Sequence, residues 1–253
     1  MIGVFDSGSG GLTVLRAIRE AMPSADVIYF GDTKNAPYGL RSRAELSRLT
    51  VEAIVRLQRG GAQNIVSACN SVSASLAVSL FDVLPLAPGN LVEMVGPTVS
   101  HFKDSRSRIL LVATPATIAS EIYQNAFQMI GKEIDTLAIP ELAGAIESGA
   151  SDTEIERIIR DAFAGIESNA YDELILACTH YPLVQPVFNR VLSEKVSIFD
   201  PASAVADRVV RQFASRETGT GLLRFVISKD SAPFRARVAE FFPTSGVAIE
   251  VLD

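Results

Sequence analysis

Val66-Ser67-Ala68-Cys69-Asn70-Ser71 and Ile175-Leu176-Ala177-Cys178-Thr179-His180 are the two stretches that decide how this chain is read. In each, an apolar run ends in Ala-Cys and turns polar at once, the pattern of a buried parallel strand opening into a helix. Cys69 and Cys178 are also the only two cysteines among the 253 residues. They are either a matched pair with chemistry to perform or two unrelated core residues, since a lone cysteine at a strand end is most often a small buried hydrophobe.

Working back from Cys69, strands are expected over 2–5, 26–30 and 64–68. The first is followed by the loop Asp6-Ser7-Gly8-Ser9-Gly10-Gly11 and a helix over 12–22, with Leu12, Leu15, Ile18 and Met22 on one face. Ser42 and Glu45 have capping-box spacing and open a second helix that stops at Gly60-Gly61. A helix over 72–83 and a short strand over 91–95 follow. The pattern then recurs around Cys178: strands over 108–113, 134–139 and 173–177, one helix from Pro115 to the stop at Gly131, and another opened by Ser151 and Glu154, again at capping-box spacing. A strand over 196–199, a helix over 202–214, a strand over 223–227 and a helix over 232–242 complete the chain.

The first three strands begin near positions 2, 26 and 64 and their counterparts near 108, 134 and 173, so steps of 24 and 38 recur as 26 and 39. Asp6 precedes Cys69 by 63 residues, and Thr114 precedes Cys178 by 64. Alternating strands and helices imply parallel sheets, and such sheets bind ligands beyond the carboxyl ends of their strands. The expected fold is α/β, with two pseudo-symmetric domains built on mainly parallel sheets and the active site in the cleft between them. Asp6, Cys69, Thr114 and Cys178 would then face one cleft.

Composition narrows the function. A net charge of -6, with Lys and Arg scattered singly, argues against a nucleic-acid partner. No apolar run reaches membrane-spanning length, so no membrane partner is expected. The first strand begins at Ile2, which leaves no room for a signal peptide, and the expected location is the cytoplasm. Thiols are reduced there, which leaves catalysis, metal binding or simple burial.

Both thiols fall at strand-to-helix junctions, where backbone amides favour anions and lower a thiol pKa. Asp6 could merely cap the helix after its loop. His180 lies two residues beyond Cys178 and would share its side if strand geometry persisted. Asp32 and Glu147 read alone as loop and helix-end charges, and His101 as a solvated surface residue. Metal binding fits poorly, because Cys-Thr-His has no recognised ligand spacing and Cys69 has no neighbouring Cys or His. Gly8-Ser9-Gly10 after a strand, with Asp32 further on, is a weak dinucleotide fingerprint: Thr13 replaces the third glycine, and Asp6 would stand beside a pyrophosphate. Two opposed thiols suit inversion of a carbon acid, one taking a proton from one face while the other returns one to the opposite face. The alternative, Cys178 with His180 as a single activated nucleophile, leaves Cys69 idle.

Taken together the motifs resemble the cofactor-independent glutamate racemases of bacterial cell-wall synthesis. The matching stretches are Gly3-Val4-Phe5-Asp6-Ser7-Gly8, Gly10-Gly11-Leu12, Gly31-Asp32-Thr33, Pro37-Tyr38-Gly39, Ala68-Cys69-Asn70, Thr114-Pro115-Ala116-Thr117, Glu147 before Gly149, and Cys178-Thr179-His180-Tyr181-Pro182-Leu183. The resemblance implies Cys69 and Cys178 as the acid/base pair, Asp6 assisting the first and His180 the second, with Asp32 and Glu147 as further catalytic acids. It places Asp6, Ser7, Pro37, Tyr38, Gly39, Cys69, Asn70, Ser71, Thr114, Cys178, Thr179 and His180 on substrate-binding positions. It also implies glutamate as substrate, no cofactor and no metal, and a first domain closed by the C-terminal segment, so that the expected domains are 1–96 plus 207–253, and 97–206; a homodimer is the expected assembly. His180 separates the chain from the related aspartate racemases, which usually lack a histidine there. Asn70-Ser71-Val72 departs from the family's Asn-Thr-Ala, Ala113-Thr114 from its Gly-Thr, and Ile139-Pro140 from its Cys-Pro. Racemisation of aspartate, or a silent amino-acid-binding protein of the same fold, are the competing readings.

Overall fold

The computed structural model describes residues 1–73, 86–243 and 248–252. Strands β1 (Ile2–Asp6), β2 (Val27–Gly31), β3 (Asn64–Ser67) and β4 (Leu91–Val92) begin one sheet. Strands β5 (Ile109–Ala113), β6 (Asp135–Ala138), β7 (Glu173–Ala177) and β8 (Ser197–Phe199) form a second, and β9 (Leu223–Ile227) and β10 (Ile249–Val251) return to the first. The orders are β10-β9-β2-β1-β3-β4 and β6-β5-β7-β8. The core order β2-β1-β3-β4 therefore recurs as β6-β5-β7-β8, and each strand pair described is parallel. The duplication seen in strand spacing is a duplication of topology.

Parallel strands are buried on both faces, and these sheets carry helices on both. On one face of the first sheet, helices Leu12–Ala21, Ala202–Phe213 and Ala232–Phe241 pack through Leu15, Val205, Val209, Phe213 and Phe234. Helix Arg43–Arg59 covers the other through Leu46, Leu49, Ala53 and Leu57. On the second sheet, helices Leu142–Ser148, Asp152–Ala162 and Gln185–Val191 cover one face, and Val95–His101 with Ile122–Met129 the other.

Local chemistry explains where the structure departs from expectation. The single helix expected from Pro115 to Gly131 is two, Pro115–Ala119 and Ile122–Met129. Ser120 Oγ donates to the Thr117 carbonyl at 2.6 Å, and Glu121 turns left-handed at φ 56°. That conformation is unfavourable for a residue with a Cβ and breaks the helix there. Ser42 and Glu45 form the full capping box, but Ser151 supplies only half of one: its hydroxyl accepts from Glu154 N–H, while the Glu154 carboxylate is taken by Arg157. The strand expected over 91–95 stops at Val92, and a helix begins at Val95, where Glu93 accepts from the N–H groups of Val95 and Gly96. The helix expected over 72–83 lies mostly outside the described residues; Asn70–Ser73 are helical. Helix Leu142–Ser148 carries Glu147 at its end, as expected of a helix-end charge, while helix Gln185–Val191 and strand β10, two turns and three residues long, are not expected from the sequence. His101 is exposed as expected, with its ring 4.4 Å from that of Phe199. Among the described residues no helix is long and apolar enough to cross a membrane.

Candidate active site

The carboxyl ends of β1, β3, β5 and β7 meet between the sheets. Register sets their heights: Phe5 pairs with Ser67 and Ala113 with Ala177. Cys178 is thus the first residue past its strand, whereas Cys69 is the second past its own, so the two thiols are not strict equivalents. Both are buried, at 5% and 6% exposure, and free.

Asp6, at the tip of β1, is fully buried. Its Oδ2 accepts from Gly8 N–H at 2.9 Å and its Oδ1 from the Thr179 hydroxyl at 3.2 Å, so it ties the two halves together. Burial holds the Asp6 carboxyl above its ordinary range against the opposing pull of His180 and the Gly8 and Gly11 amides. The Cys69 thiol donates to Ser7 Oγ at 3.9 Å. Burial, and after it the charge of Asp6, pushes Cys69 up to about 12.

The second thiol has a different setting. Cys178 Sγ lies 3.9 Å from His180 Nδ1, and His180 Nε2 lies 2.7 Å from Glu147 Oε2. The expected strand alternation does not bring His180 to Cys178. The strand has ended, and a turn closed by Tyr181 N–H donating to the Cys178 carbonyl folds the imidazole back over the sulfur. Burial alone would push His180 down, but its contacts with Cys178 and Glu147 outweigh this and hold it well above the usual imidazole range. Burial likewise opposes ionisation of Glu147, yet His180 and Ser9 hold that carboxyl down to about 2.

The glycines of the first loop now have a reason. A Cβ on Gly8 would lie 2.6 Å from Glu147 Oε1, and one on Gly10 would lie 2.6 Å from Thr179 Oγ1 and 2.7 Å from His180 Nδ1. The loop that resembles a phosphate cradle is the bare backbone against which the second half lays its carboxylate, hydroxyl and imidazole.

Ser7, Pro37, Tyr38, Gly39, Cys69, Asn70, Ser71, Thr114, Ala143, Cys178, Thr179 and His180 line one narrow cavity of about 10 Å³. Of the substrate-binding positions expected from sequence, only Asp6 stands behind the lining; Ala143 is added. Ser71 and Thr114 share a hydroxyl contact of 3.0 Å across the halves, and Thr117, not singled out from sequence, completes the cluster at 3.4 and 3.1 Å. Asn70 Oδ1 accepts from the Tyr123 hydroxyl at 2.5 Å, while Asn70 Nδ2 is buried without a protein partner among the described residues. A buried donor left free beside two thiols is placed to receive a ligand oxygen.

Two expected acids lie outside the lining. Asp32 accepts from the Tyr38 hydroxyl at 2.6 Å, from Ser228 Oγ at 2.6 Å and from Asn35 Nδ2, so it holds the Tyr38 loop. Glu147 reaches the cavity only through His180. Ser9 and Arg237, unassigned by the sequence reading, contact one another and Glu147 through Ser9 Oγ. Among the described residues no group of three or more His, Cys, Asp or Glu side chains is placed to hold a metal.

Residues 2–209 match the family described as Asp/Glu/hydantoin racemase. A glutamate racemase of Aquifex aeolicus is 36% identical over 91% of this chain and 89% of its own length, and one of Desulforudis audaxviator is 35% identical over 95% and 93%. Among solved structures, a glutamate racemase isoform of Bacillus anthracis superposes with a TM-score of 0.88 at 26% identity, covering 100% of this chain and 97% of that one. The Francisella tularensis glutamate racemase in complex with D-glutamate gives 0.87 at 26%, with the same coverage. An aspartate racemase of Picrophilus torridus, at 0.58 and 19% over 83% of this chain and 92% of that one, shares the fold.

Proposed function

The chain belongs to the Asp/Glu/hydantoin racemase family, and we propose that it is a glutamate racemase, interconverting L- and D-glutamate by passing the α-proton between Cys69 and Cys178. The observation that carries this reading is that both thiols line one cavity, each with its own partner: Ser7 and the charge of Asp6 for Cys69, and the His180–Glu147 pair for Cys178.

The differing settings suit a division of roles in which Cys69, its thiol pushed up by burial, starts as the proton donor, and Cys178 Sγ, 3.9 Å from His180 Nδ1, starts as the base. Cys178 Sγ then takes the α-proton, the electron pair left behind delocalises into the substrate carboxylate, and the Cys69 thiol delivers its proton to the opposite face. The reverse reaction exchanges the roles. Donors must meet the charge that develops on the carboxylate oxygens, and Asn70 Nδ2 with the hydroxyls of Ser71 and Thr114 lines the cavity where it forms.

A cavity of about 10 Å³ holds no more than about one water, so the amino acid enters when the two halves part, and the closed form excludes solvent from the carbanion. We further propose the domains 1–96 plus 207–253 and 97–206, with the second boundary moved to the start of helix Ala202–Phe213, which packs whole on the first sheet, a supply of D-glutamate for peptidoglycan, as the family resemblance implies, and a homodimeric enzyme of the cytoplasm. The test is incubation with L-glutamate or L-aspartate in deuterated water, following the α-proton by NMR and optical activity by circular dichroism. Loss of both signals with glutamate is the expected result. Exchange with aspartate alone would move the substrate, and exchange with neither would overturn the enzyme reading.

A further inference from the structure

Helix Ala232–Phe241 is seated on the first sheet by buried Phe234 and Val238. From that seat Arg237 reaches inward, and one guanidinium nitrogen donates to Ser9 Oγ at 2.5 Å. Ser9 is fully buried, and the same hydroxyl lies 2.5 Å from Glu147 Oε2, with the Ser9 backbone N–H 3.1 and 3.2 Å from the two carboxylate oxygens. A guanidinium has no lone pair to accept with, and a serine hydroxyl has one proton to give. With Arg237 donating to Ser9, the Ser9 proton is directed to Glu147. Arg237 is not part of the cavity lining, so its influence on the reacting centre has to travel through Ser9, Glu147 and His180 to Cys178.

We propose that Arg237 is a positioning residue for the Cys178 half of the site, fixing the Ser9 hydroxyl as a donor to Glu147 and so aiming the Glu147 carboxylate at His180. The inference rests on the racemase reading for its kinetic consequence but not for its structural one. A hydroxyl held from behind by a cation cannot rotate away, and a carboxylate with both oxygens engaged cannot turn from the imidazole. The C-terminal helix of the first half thereby orients a base that belongs to the second.

The test uses the full chain with Arg237→Met, Arg237→Lys, Ser9→Ala and the Arg237→Met/Ser9→Ala double variant. Kinetics are read as kcat and KM, and the His180 Nε2–H proton is followed by NMR of histidine-labelled protein, where the only other histidine is His101. Arg237→Met is expected to lower kcat about tenfold with KM little changed, as for loss of one charge-assisted hydrogen bond. Arg237→Lys should recover part of the loss, and the double variant should be no worse than Ser9→Ala, because Arg237 acts only through Ser9. The hydrogen-bonded imidazole resonance should be present in the parent protein and lost in Arg237→Met. Wild-type kcat in Arg237→Met, fully multiplicative losses in the double variant, or an unchanged imidazole resonance would each overturn the proposal. The resonance is read without turnover, so failure of this inference is distinguishable from failure of the racemase reading.

Discussion

Glu147 Oε2 stands 2.7 Å from His180 Nε2, with the two side chains only 15% and 4% exposed. The pair couples the stability of the fold to the protonation state of the site. Glu147 falls from 4.5 to about 2 in the folded chain, so its contribution is complete above pH 4.5 and is lost as pH drops towards 2. His180 is raised above 6.5, so its contribution is complete below that pH and is lost as pH rises through its folded value. Glu147→Gln is therefore expected to be most destabilising between about pH 4.5 and 6.5, by up to about 3 kcal/mol. The difference should shrink on both sides of that window. Urea unfolding midpoints of the two proteins across pH 2 to 10 check this, and a pH-independent gap would contradict it.

The Gly8 loop gives a second prediction. A methyl group at Gly8 would sit 2.6 Å from Glu147 Oε1, so Gly8→Ala must push the carboxylate off His180 or the halves apart. The expected cost is about 1–3 kcal/mol of stability, as for other overpacked sites. Activity should fall further than Glu147→Gln lowers it, because the halves lose their closed contact as well as the acid. Thermal unfolding and steady-state rates for both variants measure the two effects.

The Tyr123–Asn70 bond gives a third. Tyr123 fixes the Asn70 amide so that Nδ2 is left for a ligand. Tyr123→Phe leaves Asn70 Oδ1 without its donor and frees the amide to turn. KM for glutamate is expected to rise about tenfold with the fold retained. An unchanged KM would show that Asn70 is held by other means.

How much of this was legible in the sequence differs from residue to residue. The pair Cys69 and Cys178 was visible because each closes an apolar run with the same two letters, and strand spacing then revealed the repeated topology. His180 was found, but by the wrong geometry: strand alternation was expected, and a turn delivers it. The resemblance makes Asp32 an acid of the site; in the fold its carboxylate accepts from the Tyr38 hydroxyl, a partnership that the spacing of the two residues does not announce. Ser9 was one small hydroxyl among several, and Arg237 one arginine on a helix 228 residues away; only the packing of that helix makes them partners. The helix break at Glu121 had no warning in the residues, since nothing in a glutamate announces a left-handed turn.

The central claim is that two thiols share the proton transfer, and single-thiol variants test it most directly. Because racemisation of a free amino acid has an equilibrium constant of one, kcat/KM must be equal in the two directions and must fall equally in any variant. Cys69→Ser and Cys178→Ser, each checked for a native unfolding transition, should lower kcat/KM for both L- and D-glutamate by about 10²–10⁴-fold, the range for loss of a general acid or base. Wild-type kcat/KM in either variant would contradict the account.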